Sequence, residues 1–158
     1  MSEMLRFAEA VCVGHPDRLA DTIAERVVAL ATSRDPDALV GVEVALHRNV
    51  VFVDGRVAAG REAAAVEEGE IATLVRQAFA DAGYGRTASG VFRPEPGELE
   101  VRTDLCLGPL PEEERAIRDV SDDQSICVGH AVWGRRAGHR PLEQALVSDF
   151  AKALERLR

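Results

Sequence analysis

The stretch VCVGHPDRLADTIAERVVAL, Val11 to Leu30, sets the reading of this chain. An apolar run ends at Gly14, His15, Pro16 and Asp17 follow, and Leu19, Ile23, Val27 and Leu30 then recur at spacings of four, four and three. That recurrence puts the four side chains on one face of a helix. Pro16 suits the first helical turn, where its missing N–H costs nothing, and Asp17 and Asp21 favour the positive end of the helix. An imidazole and a carboxylate thus stand at a strand-to-helix junction, where neither adds to a core.

Outward from the junction, the spacing predicts two more helices. One runs from about Glu67 to Ala82, with Ile71, Leu74, Val75, Ala78 and Phe79 inward and GYG as its stop. The other opens at Pro141 and turns Leu142, Ala145, Leu146, Phe150, Ala153, Leu154 and Leu157 inward. Period-two alternation marks strands in LVGVEVALH, LEVRTDLCL and SICVGHAVW, and a short first strand in MLRFAEAVCV precedes the glycine. NVVFVDG follows LVGVEVALH directly, so HRN reads as a hairpin turn. The segment RVAAGREAAAVEEGE fits either an extended connection or an earlier start of the second helix. Residues 108–122, bounded by proline and rich in acid, read as a surface loop, either a lid or a solvated excursion.

The expected order is therefore β-α-β-β-α-β-β-α. Strands that follow one another without a helix between them pair antiparallel. The fold class expected is α+β, a two-layer α/β sandwich whose mixed, mostly antiparallel sheet carries its helices on one face. The other face, read as apolar, is expected to meet another subunit.

With 158 residues the chain is expected to form a single domain, 1–158, large enough for a core. Aromatics are only 4%, so that core must come from Val, Leu, Ile and Ala. The net charge of −8, with no Lys/Arg stripe, speaks against nucleic acid as a partner. No apolar run approaches the ~20 residues of a membrane span, and MSEMLRFAEA is too charged for a signal peptide. Cys12, Cys106 and Cys127 are odd in number and lack a C-x-x-C pair, which suggests reduced thiols in a cytoplasmic protein. Cys106 and Cys127 lie in strand-like runs and are expected to be buried.

A helix N-terminus offers unpaired N–H groups and partial positive charge, which suit phosphate. Gly14 lets the backbone approach closely, and His15 can donate to a phosphate oxygen. Asp17 repels phosphate but can hold Mg²⁺, which bridges carboxylate and phosphate oxygens. By spacing alone, the same residues equally suit a helix entry with no ligand at all.

GHPDRLAD, preceded by FAEAVCV, resembles the N-terminal signature of the methionine adenosyltransferases (S-adenosylmethionine synthetases), Ser-Glu-x-Val-x-x-Gly-His-Pro-Asp-Lys-x-Ala-Asp. The similarity continues through DPDALVGVEV, VVFVDGRV, the second helix and AGYG. It resumes at DDQSICVGHAVW, which resembles the family's Gly-Asp-Gln-Gly segment, and runs on into the last helix. The resemblance covers nearly the whole chain, but less than the first half of a family member. It implies the fold of the synthetase N-terminal part and adenosyl transfer from ATP to methionine or a related thioether amino acid, with Mg²⁺ and K⁺.

By that resemblance His15 contacts the triphosphate and assists its departure, and Asp17 binds magnesium. Glu43 binds potassium, and Glu9, Gly14 and Arg18 line the ATP site. Asp123 orients the methionine amino group, and Gln124 beside it belongs to the same amino-acid site. The bland alternatives are a salt bridge on the polar strand face for Glu43 and ordinary turn chemistry for Asp123. Arg18 replaces the signature lysine, which keeps the charge but changes its geometry. Arg56 stands where the family has a methionine-site glutamate, which disfavours ordinary methionine in this chain's own pocket. The family's second half, with its further cations, has no counterpart here. Charge leaving as triphosphate must be stabilised in advance, at ~3 kcal/mol per donor, so one histidine, one aspartate-held cation and one arginine are too few. The resemblance implies either one subunit of a split or hetero-oligomeric enzyme, whose partner chain carries the missing half, or a non-catalytic nucleotide-binding paralogue that associates with a full-length synthetase. A third option is a reduced enzyme that acts as a homo-oligomer on a related adenosyl or phosphate chemistry; self-association through the open sheet face is the alternative to a partner chain.

Overall fold

The computed structural model describes residues 5–58, 66–88, 90–109, 111–114, 128–134 and 138–157. The chain forms two compact units, Gly14–Asp122 and Met1–Val13 with Asp123–Arg158. The fold is α+β, with a mixed sheet and helices.

In the larger unit, helix α1 (Pro16–Arg34) buries Leu19, Ile23, Val27 and Ala31, the stripe its spacing predicts. Strands β1 (Leu39–His47) and β2 (Val50–Ala58) form the expected hairpin, paired antiparallel from Leu39↔Ala58 to His47↔Val50. Helix α2 (Glu68–Asp81) buries Ile71, Val75, Ala78 and Phe79. A reciprocal capping box starts it, with the Glu70 carboxylate accepting from the Glu67 N–H at 2.9 Å. A small hairpin follows, β3 (Gly85–Thr87) and β4 (Gly90–Phe92), and then a 3₁₀ turn over Pro96–Glu98. Strand β5 (Glu100–Gly108) returns to pair parallel with β2, giving the order β1-β2-β5. The parallel pairing follows from the intervening helix, since a crossover brings the chain back to the same end of the sheet.

The inner sheet face is a valine layer. Val51, Val53 and Val57 of β2 are fully buried, and α1 and α2 pack on this sheet. The helices run in opposite directions, because Arg26 pairs with Asp81 at 2.7 Å and Arg34 reaches back to Glu70 at 2.5 Å. The other sheet face is charged, not apolar as expected: Glu43 and His47 of β1 and Glu100, Arg102 and Asp104 of β5 are exposed there. Cys106 shares that face and is exposed, so the expectation of a buried thiol fails at this position. Cys127 lies outside the described residues.

In the smaller unit, residues 5–13 form no strand, although the alternation in MLRFAEAVCV suggested one. Nor do residues 128–133 of the predicted SICVGHAVW strand; the Val132 N–H donates to the His139 carbonyl at 3.0 Å and the Gly134 N–H to the Gly138 carbonyl at 2.8 Å, an isolated antiparallel bridge. Alternation records which residues face alike, but a strand also needs a neighbouring edge to bond. Helix α3 (Leu142–Glu155) forms where Pro141 predicted it, and it buries Ala145 and Ala151. Its larger apolar side chains behave otherwise than expected, for Leu142, Leu146, Phe150, Leu154 and Leu157 are all exposed. Of residues 108–122, Gly108 closes β5 and 112–114 form one helical turn.

Gly55 is fixed by the hairpin. Its φ is +118°, and a Cβ placed there would lie 2.2 Å from the Gly41 carbonyl oxygen. Gly69 in α2 meets no such obstacle. Gly55→Ala is expected to cost about 3 kcal/mol in urea unfolding, and Gly69→Ala to add about 0.5 kcal/mol through helix propensity.

The Arg34 guanidinium, helped by the Glu67 N–H, holds the Glu70 carboxyl at about 2, well under the usual 4.5 for glutamate. A carboxylate with a lowered folded-state pKa contributes stability above its unfolded value, and loses it as pH falls through the folded value. Urea unfolding of wild type and Glu70→Gln should therefore differ at pH 7, converge as pH falls from 4.5, and coincide near pH 2.

Candidate functional site

The junction after Val13 is a tight turn. Gly14 takes φ +96°, a left-handed conformation that glycine adopts without steric cost, and the chain enters α1 one residue later. His15 is the N-cap, with extended backbone at φ −65° and ψ 141°. Its carbonyl accepts from the Leu19 N–H at 2.9 Å, closing the first helical turn. Its ring nitrogen Nδ1 accepts from the Asp17 N–H at 3.3 Å, in place of the usual capping oxygen. In the neutral ring the proton then sits on Nε2, which leaves Nε2–H as the donor.

The Asp17 carboxylate lies 3.8 Å from His15 Nδ1, and the two side chains are 82% and 52% exposed. Neither is walled in. Arg18 is exposed beside them. The corner therefore offers a ring N–H donor, a carboxylate, a guanidinium and the positive end of a helix to solvent. Its Gly14 carbonyl is held from outside α1, for the Tyr84 hydroxyl donates to it at 2.8 Å.

The other expected residues fall elsewhere. Glu43 is exposed on β1, in one rung with Asp54 of β2 and Asp104 of β5, so three carboxylates line up across the charged sheet face. Glu9 belongs to the smaller unit, where its carbonyl accepts from Gln144 Nε2 at 3.5 Å. Asp123 and Gln124 lie outside the described residues. Among the described residues, no three His, Cys, Asp or Glu side chains gather in a way that could hold a metal ion. Asp17 alone suits a cation that takes most of its shell from phosphate and water, as Mg²⁺ does.

Arg56 is engaged within the chain. Its Nε and Nη2 donate to the two Glu114 carboxylate oxygens at 3.0 and 2.9 Å, a bidentate pair. Nη1 donates to the Cys106 carbonyl at 3.1 Å and Nη2 to the Pro109 carbonyl at 2.8 Å. The two side chains are only 16% and 26% exposed, and Glu114 raises the guanidinium pKa further. Glu114, Tyr84, Asp54 and Asp104 were not singled out from sequence. The period-two pattern put Asp104 on a strand face without its cross-strand neighbours, and Tyr84 read only as part of a helix stop.

Residues 3–101 match the family described as S-adenosylmethionine synthetase, N-terminal domain. The S-adenosylmethionine synthase of Zymomonas mobilis is 38% identical over 86 residues, covering 54% of this chain and 21% of that protein. Those of Roseiflexus castenholzii and Petrotoga mobilis are 31% and 29% identical over 96% and 100% of this chain, and 39% and 42% of theirs. Among solved structures, an S-adenosylmethionine synthetase from Campylobacter jejuni, described as unusual, superposes with a TM-score of 0.52 at 26% identity. That similarity covers 60% of this chain and 24% of the other. The chain thus spans at most about two fifths of the length of these relatives.

A double-mutant cycle at Arg56 and Glu114 should give a coupling of about 1–2 kcal/mol, above the usual surface pair because both side chains are largely covered. Urea unfolding of Arg56→Ala, Glu114→Ala and the double variant measures it, and strict additivity would refute a bidentate pair in solution.

Proposed function

Because the chain belongs to the S-adenosylmethionine synthetase family, we propose that it serves adenosyl transfer from ATP to methionine or a related thioether amino acid, as one subunit of a split or hetero-oligomeric enzyme. The His15–Asp17 corner carries this reading. It pairs an exposed ring N–H with a carboxylate at the positive end of α1, the chemistry that a polyphosphate and its cation require. The second chain would supply the cations carried by the part of the relatives' length that this sequence does not span.

In the proposed reaction the thioether sulfur donates an electron pair to C5′ of ATP. The S–C5′ bond forms, the C5′–O bond breaks, and its electron pair leaves with the triphosphate. His15 Nε2–H donates to an oxygen of the departing group, and Arg18 and the α1 N-terminus offset its charge. Asp17 would hold Mg²⁺, which supplies Lewis-acid neutralisation of the phosphate oxygens when bound. Glu43 would bind K⁺ through its carboxylate, as the resemblance implies. Gly14 would complete the phosphate corner.

One observation favours a second reading. By the resemblance Arg56 stands where a methionine-site glutamate would, and it is committed to Glu114 and two carbonyls, so one carboxylate partner for a methionine ammonium is gone. A nucleotide-binding paralogue that joins a full-length synthetase would need no such partner.

The test measures S-adenosylmethionine and triphosphate made from ATP and methionine, with and without a chain carrying the complementary half. His15→Ala is expected to lower kcat about 100-fold in the active assembly, and Asp17→Asn to raise the Mg²⁺ requirement about tenfold. Activity indifferent to His15→Ala would refute the catalytic role. Calorimetry that finds Mg²⁺–ATP binding without turnover in any assembly would favour the paralogue.

A further inference from the structure

The His15 corner is oriented by a residue far from it in sequence. At the end of α2 the chain turns so that the Tyr84 N–H donates to the Phe79 carbonyl at 3.0 Å. The Tyr84 ring lies edge-on to that of Phe79, with centroids 5.0 Å apart and planes at 62°. Phe79 is 2% exposed, so the tyrosine ring is braced against the core. Its hydroxyl then reaches the Gly14 carbonyl at 2.8 Å, a contact across 70 residues of chain.

That carbonyl belongs to the peptide plane joining Gly14 to His15. A peptide plane is rigid, so fixing its oxygen also fixes the direction of the His15 N–H and the axis about which His15 turns. Gly14 at φ +96° has the backbone freedom to rotate this plane, and no bond within α1 holds it. The two bonds that shape the corner, Asp17 N–H to His15 Nδ1 and Leu19 N–H to the His15 carbonyl, both depend on where His15 sits.

We propose that Tyr84 is a positioning residue that sets the His15 imidazole toward a polyphosphate through the Gly14 carbonyl. The proposal rests on the phosphate role assigned above to His15. Tyr84 touches no reacting atom in it, and acts through Gly14 alone. The argument is one of preorganisation: a donor already aimed loses less on binding than one that must be ordered first.

Tyr84→Phe removes the hydroxyl and keeps the ring against Phe79. Calorimetry with inorganic tripolyphosphate and Mg²⁺ on the full chain should show affinity about tenfold weaker for Tyr84→Phe. In a His15→Ala background the same change should weaken binding less than about twofold, since the oriented group is gone. An equal loss in both backgrounds would mean that Tyr84 supports the fold generally, and would overturn the proposal. Hydrogen exchange read amide by amide separates this from the phosphate reading. In Tyr84→Phe the Asp17 and Leu19 amides should exchange about tenfold faster while those of Val27 to Ala31 keep their rates. Wild type that binds no tripolyphosphate would refute the phosphate role, and the exchange rates would still decide the orienting role. Unchanged rates at Asp17 and Leu19 overturn it.

Discussion

Leu19, Ile23, Val27 and Ala31 of α1, with Ile71, Val75, Ala78 and Phe79 of α2, cover the valine face of a three-stranded sheet, and this buried layer holds the larger unit in place. With few aromatics, the layer relies on close contact between branched aliphatic side chains, which pack densely only when both helices keep their register. Polar ties fix that register. Tyr84 meets Gly14, Asp81 meets Arg26 and Glu70 meets Arg34, so ascending order along one helix is descending order along the other. Each exposed ion pair is worth little alone. Their value lies in specifying one sliding position for a hydrophobic contact that would otherwise tolerate several.

The same arrangement makes the corner at His15. An N-cap is defined by where its helix begins, and α1 begins where Gly14 can turn and Pro16 can follow. The imidazole is thus tied at three levels: by the Asp17 N–H at its ring, by Leu19 at its carbonyl, and by Tyr84 one residue upstream. A surface histidine without these ties would sample many rotamers, and ordering it would consume part of any binding energy. Here much of the ordering is done by the fold.

Much of this was legible in the residues. α1, the β1–β2 hairpin, α2 and β5 follow from period and punctuation, because their apolar stripes are strict and their stops are Gly, Pro and Asp. The corner was legible as a helix entry, since Pro16 and Asp17 suit a first turn, and as a phosphate site only with the family resemblance added. What escaped depended on neighbours distant in sequence. Residues 5–13 and 128–133 alternate like strands, yet the first forms no strand and the second reaches only an isolated antiparallel bridge, with the Val132 N–H on the His139 carbonyl. Leu142, Leu146 and Phe150 recur as an inward stripe should, yet they are exposed, because periodicity names a face and not what lies against it. The β3–β4 hairpin is three residues a side, too short to leave a period. Glu43, Asp54 and Asp104 became one rung only through register, and Arg56 meets Glu114 across 58 residues of chain.

That arginine also constrains how the sequence can drift. With its donors shared among Glu114, the Cys106 carbonyl and the Pro109 carbonyl, position 56 is no longer an independent letter. A carboxylate placed there alone would confront the Glu114 carboxylate in a half-covered setting and leave two carbonyls without their donor. Exchange of Arg56 for a carboxylate is therefore unfavourable unless position 114 changes as well, so the two positions form one unit.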